Sequence, residues 1–128
     1  MAAYVVWIDS REAKVFKLSP EGTQIHHLHT HGKKHHSEPH GKQHATHHHP
    51  EWEILFKDVT QSIADAKEVL IMGPGEAKTH LKTHIETHHK HDLAKTIVGM
   101  QTVDHPTENQ ILAESRKFFK SFDTFQGV

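Results

Sequence analysis

The sequence predicts an α/β fold in which helices pack against a mixed sheet. The first thirty residues alternate between short apolar runs and polar breaks, which is typical of an antiparallel meander. After Pro50 the apolar residues recur with the helical period, and these helical segments alternate with two further apolar strands. A meander followed by alternating helices and strands predicts a mixed sheet with helices on it.

Three strands are predicted before residue 30. Residues 4–8 form an apolar run that is too short for a helix and indicates a buried strand. Residues 13–18 alternate in polarity like a half-buried strand, and residues 24–29 form a third, more polar one.

The second part of the chain predicts three helices and two strands. Residues 68–72 and 96–100 are the strands, and residues 76 to about 89 form the helix between them. The first helix is predicted from apolar residues at i, i+3, i+4, i+7 and i+11, which are Trp52, Leu55, Phe56, Val59 and Ile63. The last helix starts near Thr107, where Thr107 and Gln110 fit a capping box.

The resulting order, βββαβαβα, matches a ribonuclease-H-like architecture, with a mixed five-stranded sheet and three helices packed on it. The length of 128 residues suits one domain, residues 1–128, interrupted by a histidine-rich loop at about residues 30–50. No apolar run approaches the roughly 20 residues that cross a bilayer, and the chain has no cysteine. We therefore expect a cytoplasmic protein without a membrane partner.

Residues 26–49 are the most unusual segment of the sequence. They hold eleven of the seventeen histidines and carry a formal charge of +2 from Lys33, Lys34 and Lys42 against Glu38. About a quarter of such histidines are protonated at pH 7, so the segment is cationic on a chain whose net charge is −1. Three interpretations are open: contact with RNA or phosphate, metal binding, and a solvated loop with incidental metal affinity.

Several local features together carry a family resemblance. The opening strand ends in Trp7-Ile8-Asp9, a basic loop follows the third strand, and residues 70–78 (LIMGPGEAK) make a glycine-rich junction between a strand and a helix. In these features the chain resembles the middle domain of archaeal and eukaryotic class-1 peptide-release factors and their Pelota relatives. It looks most like the small stand-alone bacterial proteins that are related to this domain.

The resemblance implies a role at the ribosome or at the acceptor end of a tRNA. In the release factors, a Gly-Gly-Gln tripeptide on a loop of this domain promotes hydrolysis of peptidyl-tRNA. Here Lys42 stands where the second glycine would be, and lysine lacks the backbone freedom of glycine. We therefore expect a binding module without this hydrolysis motif, and we assign no catalytic residue. The expected RNA contacts are Lys33, Lys34, His40, Gly41, Lys42, Gln43 and His44.

A second histidine pattern lies on the predicted second helix. His80, His84 and His88 recur every four residues, and a pair at i and i+4 can hold one zinc ion or another divalent transition metal. All three cannot share an ion, because His80 and His88 would lie roughly 12 Å apart along the axis. A pair would need a third ligand, for example from the loop. The alternative is a polar helix face opposite Leu81 and Ile85.

Charged residues outside the histidine patterns are interpreted mainly as structural or solvent-exposed. Asp9 and Asp104 follow strands, as the carboxylates of a ribonuclease-H nuclease do, but no third or fourth member of such a set is evident, so a turn and a helix start are the favoured roles. Lys78 and Lys82 are expected to be solvated, or else to extend a basic strip. Seventeen groups that titrate near pH 6.5 also allow a pH-responsive interface in a homo-oligomer.

Overall fold

The computed structural model of the protein describes residues 2–30, 50–88 and 92–125. The chain order of its elements is βββαβαβα, as the sequence predicts. The strands are β1 (Ala2–Ile8), β2 (Glu12–Ser19), β3 (Gly22–His29), β4 (Ala66–Gly73) and β5 (Ile97–Thr102). The helices are α1 (Pro50–Ser62), α2 (Ala77–His88) and α3 (Glu108–Phe125). A short 3₁₀ helix at Leu93–Thr96, which is not among the predicted elements, precedes β5.

The strands form one mixed sheet with the order β3-β2-β1-β4-β5. The meander supplies the antiparallel pairs β1–β2 and β2–β3, whereas β1–β4 and β4–β5 are parallel. This arrangement confirms the predicted ribonuclease-H-like sheet with three helices. None of the helices in the described part of the chain has the length and apolarity that crossing a bilayer requires.

One face of the sheet is covered by α1 and α2. Val6 and Ile8 of β1 point to this face and are fully buried. The helices contribute the apolar side chains that the 3.6-residue period places on their inner faces: Leu55 and Val59 from α1, and Leu81 and Ile85 from α2. The interpretation of α1 as an amphipathic helix over the core is therefore confirmed.

The opposite face packs against α3. Val5 and Trp7 of β1 lie here with Phe16, and Ile111 and Phe119 of α3 cover them. Because alternate residues of β1 enter different cores, residues 4–8 are buried on both sides, which explains why they form a continuous apolar run.

The predicted capping box at the start of α3 is confirmed. The Gln110 backbone N–H donates to Thr107 Oγ1 at 3.1 Å, and the Thr107 N–H donates to Gln110 Oε1 at 2.8 Å. Two backbone donors that the first helical turn leaves without partners are thereby satisfied.

A polar contact ties the turn before β4 to the central strand. The buried Tyr4 hydroxyl donates a hydrogen bond to Asp65 Oδ1. Burial, and then this hydrogen bond, raise the pKa of Tyr4 to about 12. The same hydrogen bond, helped by Lys17, lowers the pKa of Asp65 from its ordinary value. The pair therefore holds the phenol in its neutral form and the carboxyl in its charged form.

The junction of β1 and β4 generates a stability prediction. A Cβ atom on Gly73 would lie 2.2 Å from the backbone oxygen of Ile8, whereas one on Gly75 would meet nothing within 4 Å. We expect Gly73→Ala to lower the free energy of unfolding by about 3 kcal/mol, because a backbone atom has to move. Gly75→Ala is the matched control and should change it by less than about 0.5 kcal/mol. Urea denaturation followed by tryptophan fluorescence measures both, and equal effects would contradict this account of the junction.

Candidate functional site

The expected RNA contacts lie outside the described residues. Residues 31–49 contain all of them, namely Lys33, Lys34, His40, Gly41, Lys42, Gln43 and His44, and their roles stay predictions. The residues on either side of this segment are described. Thr30 donates its backbone N–H to the Arg11 oxygen at 3.0 Å, and Trp52 donates its indole Nε1–H to the Ser10 oxygen at 3.0 Å. Both flanks of the segment are therefore tied to the turn between β1 and β2.

Asp9 organises this turn. Its Oδ1 accepts the backbone N–H groups of Arg11 at 2.8 Å and Glu12 at 2.9 Å, while its own N–H donates to the Glu12 oxygen at 3.0 Å. A side chain that accepts from residues two and three positions further on is the usual reason for aspartate at such a turn. The turn residues to which both flanks are hydrogen-bonded are thus held by a local network.

His105 lies beside the same turn, although almost the whole sequence separates it from Asp9. Its Nδ1 is 2.9 Å from Asp104 Oδ1, and its Nε2 is 3.4 Å from Asp9 Oδ2. The imidazole packs edge-on against Trp7 with ring centroids 5.2 Å apart. Trp7 in turn donates its Nε1–H to the Asp104 oxygen at 3.0 Å, which anchors the segment after β5 over the end of β1.

The electrostatics of this cluster favour the charged imidazole. Hydrogen bonding to Asp104, and more weakly to Asp9, raises the pKa of His105 above its ordinary value, while partial desolvation opposes the rise. Asp104 was expected at a helix start, but α3 begins only at Glu108, so its role is instead to contact His105. Asp9 does hold a turn, as the sequence analysis favoured.

The histidine face of α2 packs against α1. The ring centroid of His80 lies 5.3 Å from that of Trp52, and the ring of His84 lies 5.5 Å from Phe56. The rings of His84 and His88 are 4.6 Å apart, as their spacing of four residues predicts. The side chain of His84 is only 13% exposed. The histidine stripe is therefore partly a packing surface between two helices.

Carboxylates approach this stripe, and a small cavity opens beside it. Glu53 Oε1 lies 3.8 Å from His84 Nδ1, and Glu76 Oε1 lies 3.8 Å from His80 Nε2. A cavity of about 170 Å³ is lined by Glu53, Phe56, His80, Thr83, His84, Thr87 and His88. Within residues 2–30, 50–88 and 92–125, no three histidine, aspartate or glutamate side chains are arranged to hold a metal ion. A metal on the His84/His88 pair would thus need a ligand from another part of the chain or from solvent.

The two lysines of α2 differ, because Lys78 is buried whereas the side chain of Lys82 is 40% exposed. Lys78 is buried and folds back to donate from Nζ to the Gly75 oxygen at 2.6 Å. Lys82 lies 3.1 Å from Glu86 one turn further along α2. Lys78 therefore closes the glycine-rich junction, and both expectations for it were wrong. Its spacing of three residues from Gly75 is a weak signal for this contact.

Structural comparison shows what this fold is similar to. Pelota from Archaeoglobus fulgidus matches over 91% of this chain and 31% of its own, with a TM-score of 0.59 and 15% identity. An archaeal translation termination factor, aRF1, matches over 98% of this chain and 41% of its own, with a TM-score of 0.54 and 11% identity. Dom34 from S. cerevisiae, a translation termination-like factor involved in RNA quality control, matches over 88% of this chain and 31% of its own, with a TM-score of 0.55 and 11% identity. The fold predicted from the resemblance to release factors and Pelota is confirmed.

The chain spans between about a third and two fifths of the length of these proteins. No protein-family model matches the sequence, and no curated protein matches it either. At these levels of identity, the comparison establishes the fold and leaves the activity to be argued from the site.

The position of His105 between two carboxylates generates a pH prediction. Because its folded-state pKa is raised, the protonated ring contributes stability below pH 6.5, and this contribution is lost as the pH rises through the folded-state pKa. We expect Asp104→Asn to lower the pKa of His105 more than Asp9→Asn does, since Asp104 is the stronger partner. Imidazole resonances followed by NMR against pH measure this, with His105→Gln to assign the signal. A pKa that neither substitution changes would contradict the contacts.

Proposed function

We propose that this chain is a translation-associated binding module that contacts ribosomal RNA or tRNA through its histidine- and lysine-rich segment. Three lines support the proposal: the likeness in fold to Pelota, an archaeal termination factor and Dom34, the cationic composition of residues 26–49, and the way this segment is attached.

The attachment carries the most weight. The flanking residues Thr30 and Trp52 are both hydrogen-bonded to the turn that Asp9 organises. Binding segments are often held in this way, with two ends fixed on a rigid scaffold and the chain between them presented to a partner. The turn follows the end of β1, which is paired on both sides and buried on both faces, so the scaffold under the two ends is firm.

The chemistry of the segment suits phosphate rather than hydrolysis. Lys33, Lys34 and Lys42 supply permanent charge, and any protonated histidines of the segment add to it. Lys42 adjoins Gln43 where release factors have a glycine, so the backbone freedom of the hydrolytic loop is absent at that position. In this proposal Gln43 marks the centre of a contact surface and does not position a water.

Ribosome co-sedimentation of the untagged chain tests the proposal. We expect the chain to pellet with ribosomes, and replacement of Lys33, Lys34 and Lys42 by alanine to weaken pelleting and to flatten the salt dependence. For three phosphate contacts with single-stranded RNA, the slope of log K against log salt should fall by about 2. The matched control replaces Lys67, Lys95 and Lys120, three exposed lysines elsewhere, and should leave the slope unchanged.

Two results would argue against the proposal. One is pelleting that does not respond to salt, and the other is an equal loss in the two triple variants. If the chain does not pellet at all, it shares the fold of the release factors but does not bind the ribosome.

A metal-binding role is the second candidate, and it is supported by the histidine pair on α2. The ring centroids of His84 and His88 lie 4.6 Å apart with the rings tilted by 50°, and Glu53 lies 3.8 Å from His84. Neutral imidazoles in an i and i+4 pair suit zinc, nickel or copper(II), and the third ligand would come from another histidine or from water. In this alternative the chain binds or buffers a divalent transition metal.

Zinc titration by calorimetry separates a built site from loose affinity. A built site should bind one or two zinc ions per chain and raise the Tm. We expect His88→Gln to weaken the tightest binding by at least about tenfold, since even the loss of a residue that only supports a metal ligand costs about ten- to a hundredfold. His27→Gln, a change of the same kind on β3, should have no effect. Binding without a defined stoichiometry, or equal losses in the two variants, would exclude the α2 site.

A further inference from the structure

Among the described residues, one edge of the sheet lacks the usual protection against pairing. β5 is bonded to β4 on one side only, and its residues Ile97–Thr102 include no charged residue and no proline. Exposed edges are normally blunted by lysine, proline or a bulge, because unpaired N–H and C=O groups pair with any extended chain. The other edge strand, β3, carries three histidines.

The backbone groups at this edge alternate in direction. The Val103 N–H donates to the Gly73 oxygen of β4 at 3.0 Å. Because successive residues of a strand direct their backbone groups to opposite sides, Gln101 also bonds toward β4. Met100 and Thr102 therefore direct their N–H and C=O groups to the free edge. Both residues are exposed, and 40% of the surface of Met100 is accessible. Within the part of the chain that the structure describes, two adjacent pairs of backbone donors and acceptors are therefore directed to this edge.

A groove adjoins this edge on the α3 side of the sheet. Two helices cover the opposite face, whereas α3 is the one described helix on this face, and a cavity of about 720 Å³ opens between it and the carboxyl ends of β4 and β5. Met72, Val103 and Ile111 contribute apolar surface to it. Gln101, Gln110 and Glu114 are the main polar side chains. A groove between an edge strand and a helix is the geometry in which a peptide adds to a sheet.

The charge of the groove indicates which peptides it would favour. Among the described residues that line the groove, Glu114 is the one charged side chain, and it is exposed. A partner segment with a basic residue would be attracted to it, and one with an acidic residue would be repelled. We propose that this edge and groove bind an extended peptide segment of a partner protein, with alternating apolar residues and one lysine or arginine opposite Glu114.

In this arrangement the peptide becomes a sixth strand. Its backbone bonds to Met100 and Thr102, and its side chains alternate between the two faces of the sheet. Those on one face enter the groove between β5 and α3, where the basic residue meets Glu114. Those on the other face lie against the exposed side chain of Met100. The backbone supplies affinity, and the groove supplies selectivity.

NMR titration of the full chain with designed peptides tests the proposal. The probe is an alternating valine–threonine peptide of about eight residues with a central lysine, which suits the length of a β-strand. The comparison peptides carry glutamate at the centre, or the lysine sequence with alternate amides N-methylated. We expect shifts in the amides of β5, binding about five- to tenfold weaker for the glutamate peptide, and loss of binding on N-methylation.

Variants of the protein localise the effect. Glu114→Gln should reduce the preference for lysine over glutamate by about three- to fivefold, whereas Glu108→Gln should leave it unchanged. Glu108 is the matched control because it lies on the same helix but contacts His27 of β3 at 3.0 Å. Met100→Pro should abolish binding, since proline removes an outward donor without removing a bond to β4. If that variant does not fold, the N-methylated peptide tests the same backbone contact.

Three outcomes would overturn the proposal. The first is an absence of shifts with any peptide, and the second is binding that survives N-methylation. The third is a change of the β5 amides with protein concentration alone, which would assign the edge to a second copy of this chain.

Discussion

The structure depends on the central position of β1. Residues 4–8 are at most 3% exposed, because β2 and β4 pair with the two sides of the strand and helices cover both of its faces. A strand in this position has to be apolar at every residue. β2 and β4 pair with it directly, and β3 and β5 are added to the sheet through these two strands. The close approach of Gly73 to Ile8 shows that β4 packs tightly against the carboxyl end of β1.

The end of β1 also connects segments of the chain that are distant in sequence, and it does so through polar contacts. The turn after it accepts hydrogen bonds from Thr30 and Trp52, and Asp9 contacts His105, which comes from the segment after β5. The carboxyl ends of neighbouring parallel strands lie at the same end of an α/β sheet. The turn after β1 and the segment after β5 can therefore meet there, and Asp9 and His105 do so.

The sequence predicted the elements and their order because hydrophobic periodicity reports burial directly. The capping box of α3 was predictable for the same kind of reason, since Thr107 and Gln110 are local in sequence. The contact of His105 with Asp9 spans 96 residues, and that of Tyr4 with Asp65 spans 61, so both depend on a topology that a periodic pattern does not specify. The prediction that Lys78 is solvated was wrong because its bond to the Gly75 carbonyl, at the start of its own helix, leaves no pattern in the sequence that distinguishes it from an exposed lysine.

The histidine-rich segment and the free edge of β5 are attached to different strands of one sheet. Both flanks of the segment are hydrogen-bonded to the turn after β1, whereas β5 lies two strands from β1 in the order. At roughly 4.8 Å per strand, β1 and β5 are separated by about 10 Å, which is near the limit of the distance at which substitutions usually couple. The segment after β5 also joins the two places, because Val103 and Pro106 line the groove and His105, which lies between them in sequence, is 3.4 Å from Asp9 Oδ2. If both contacts exist, a substitution at one is therefore expected to change the affinity at the other, because close-packed interiors transmit strain.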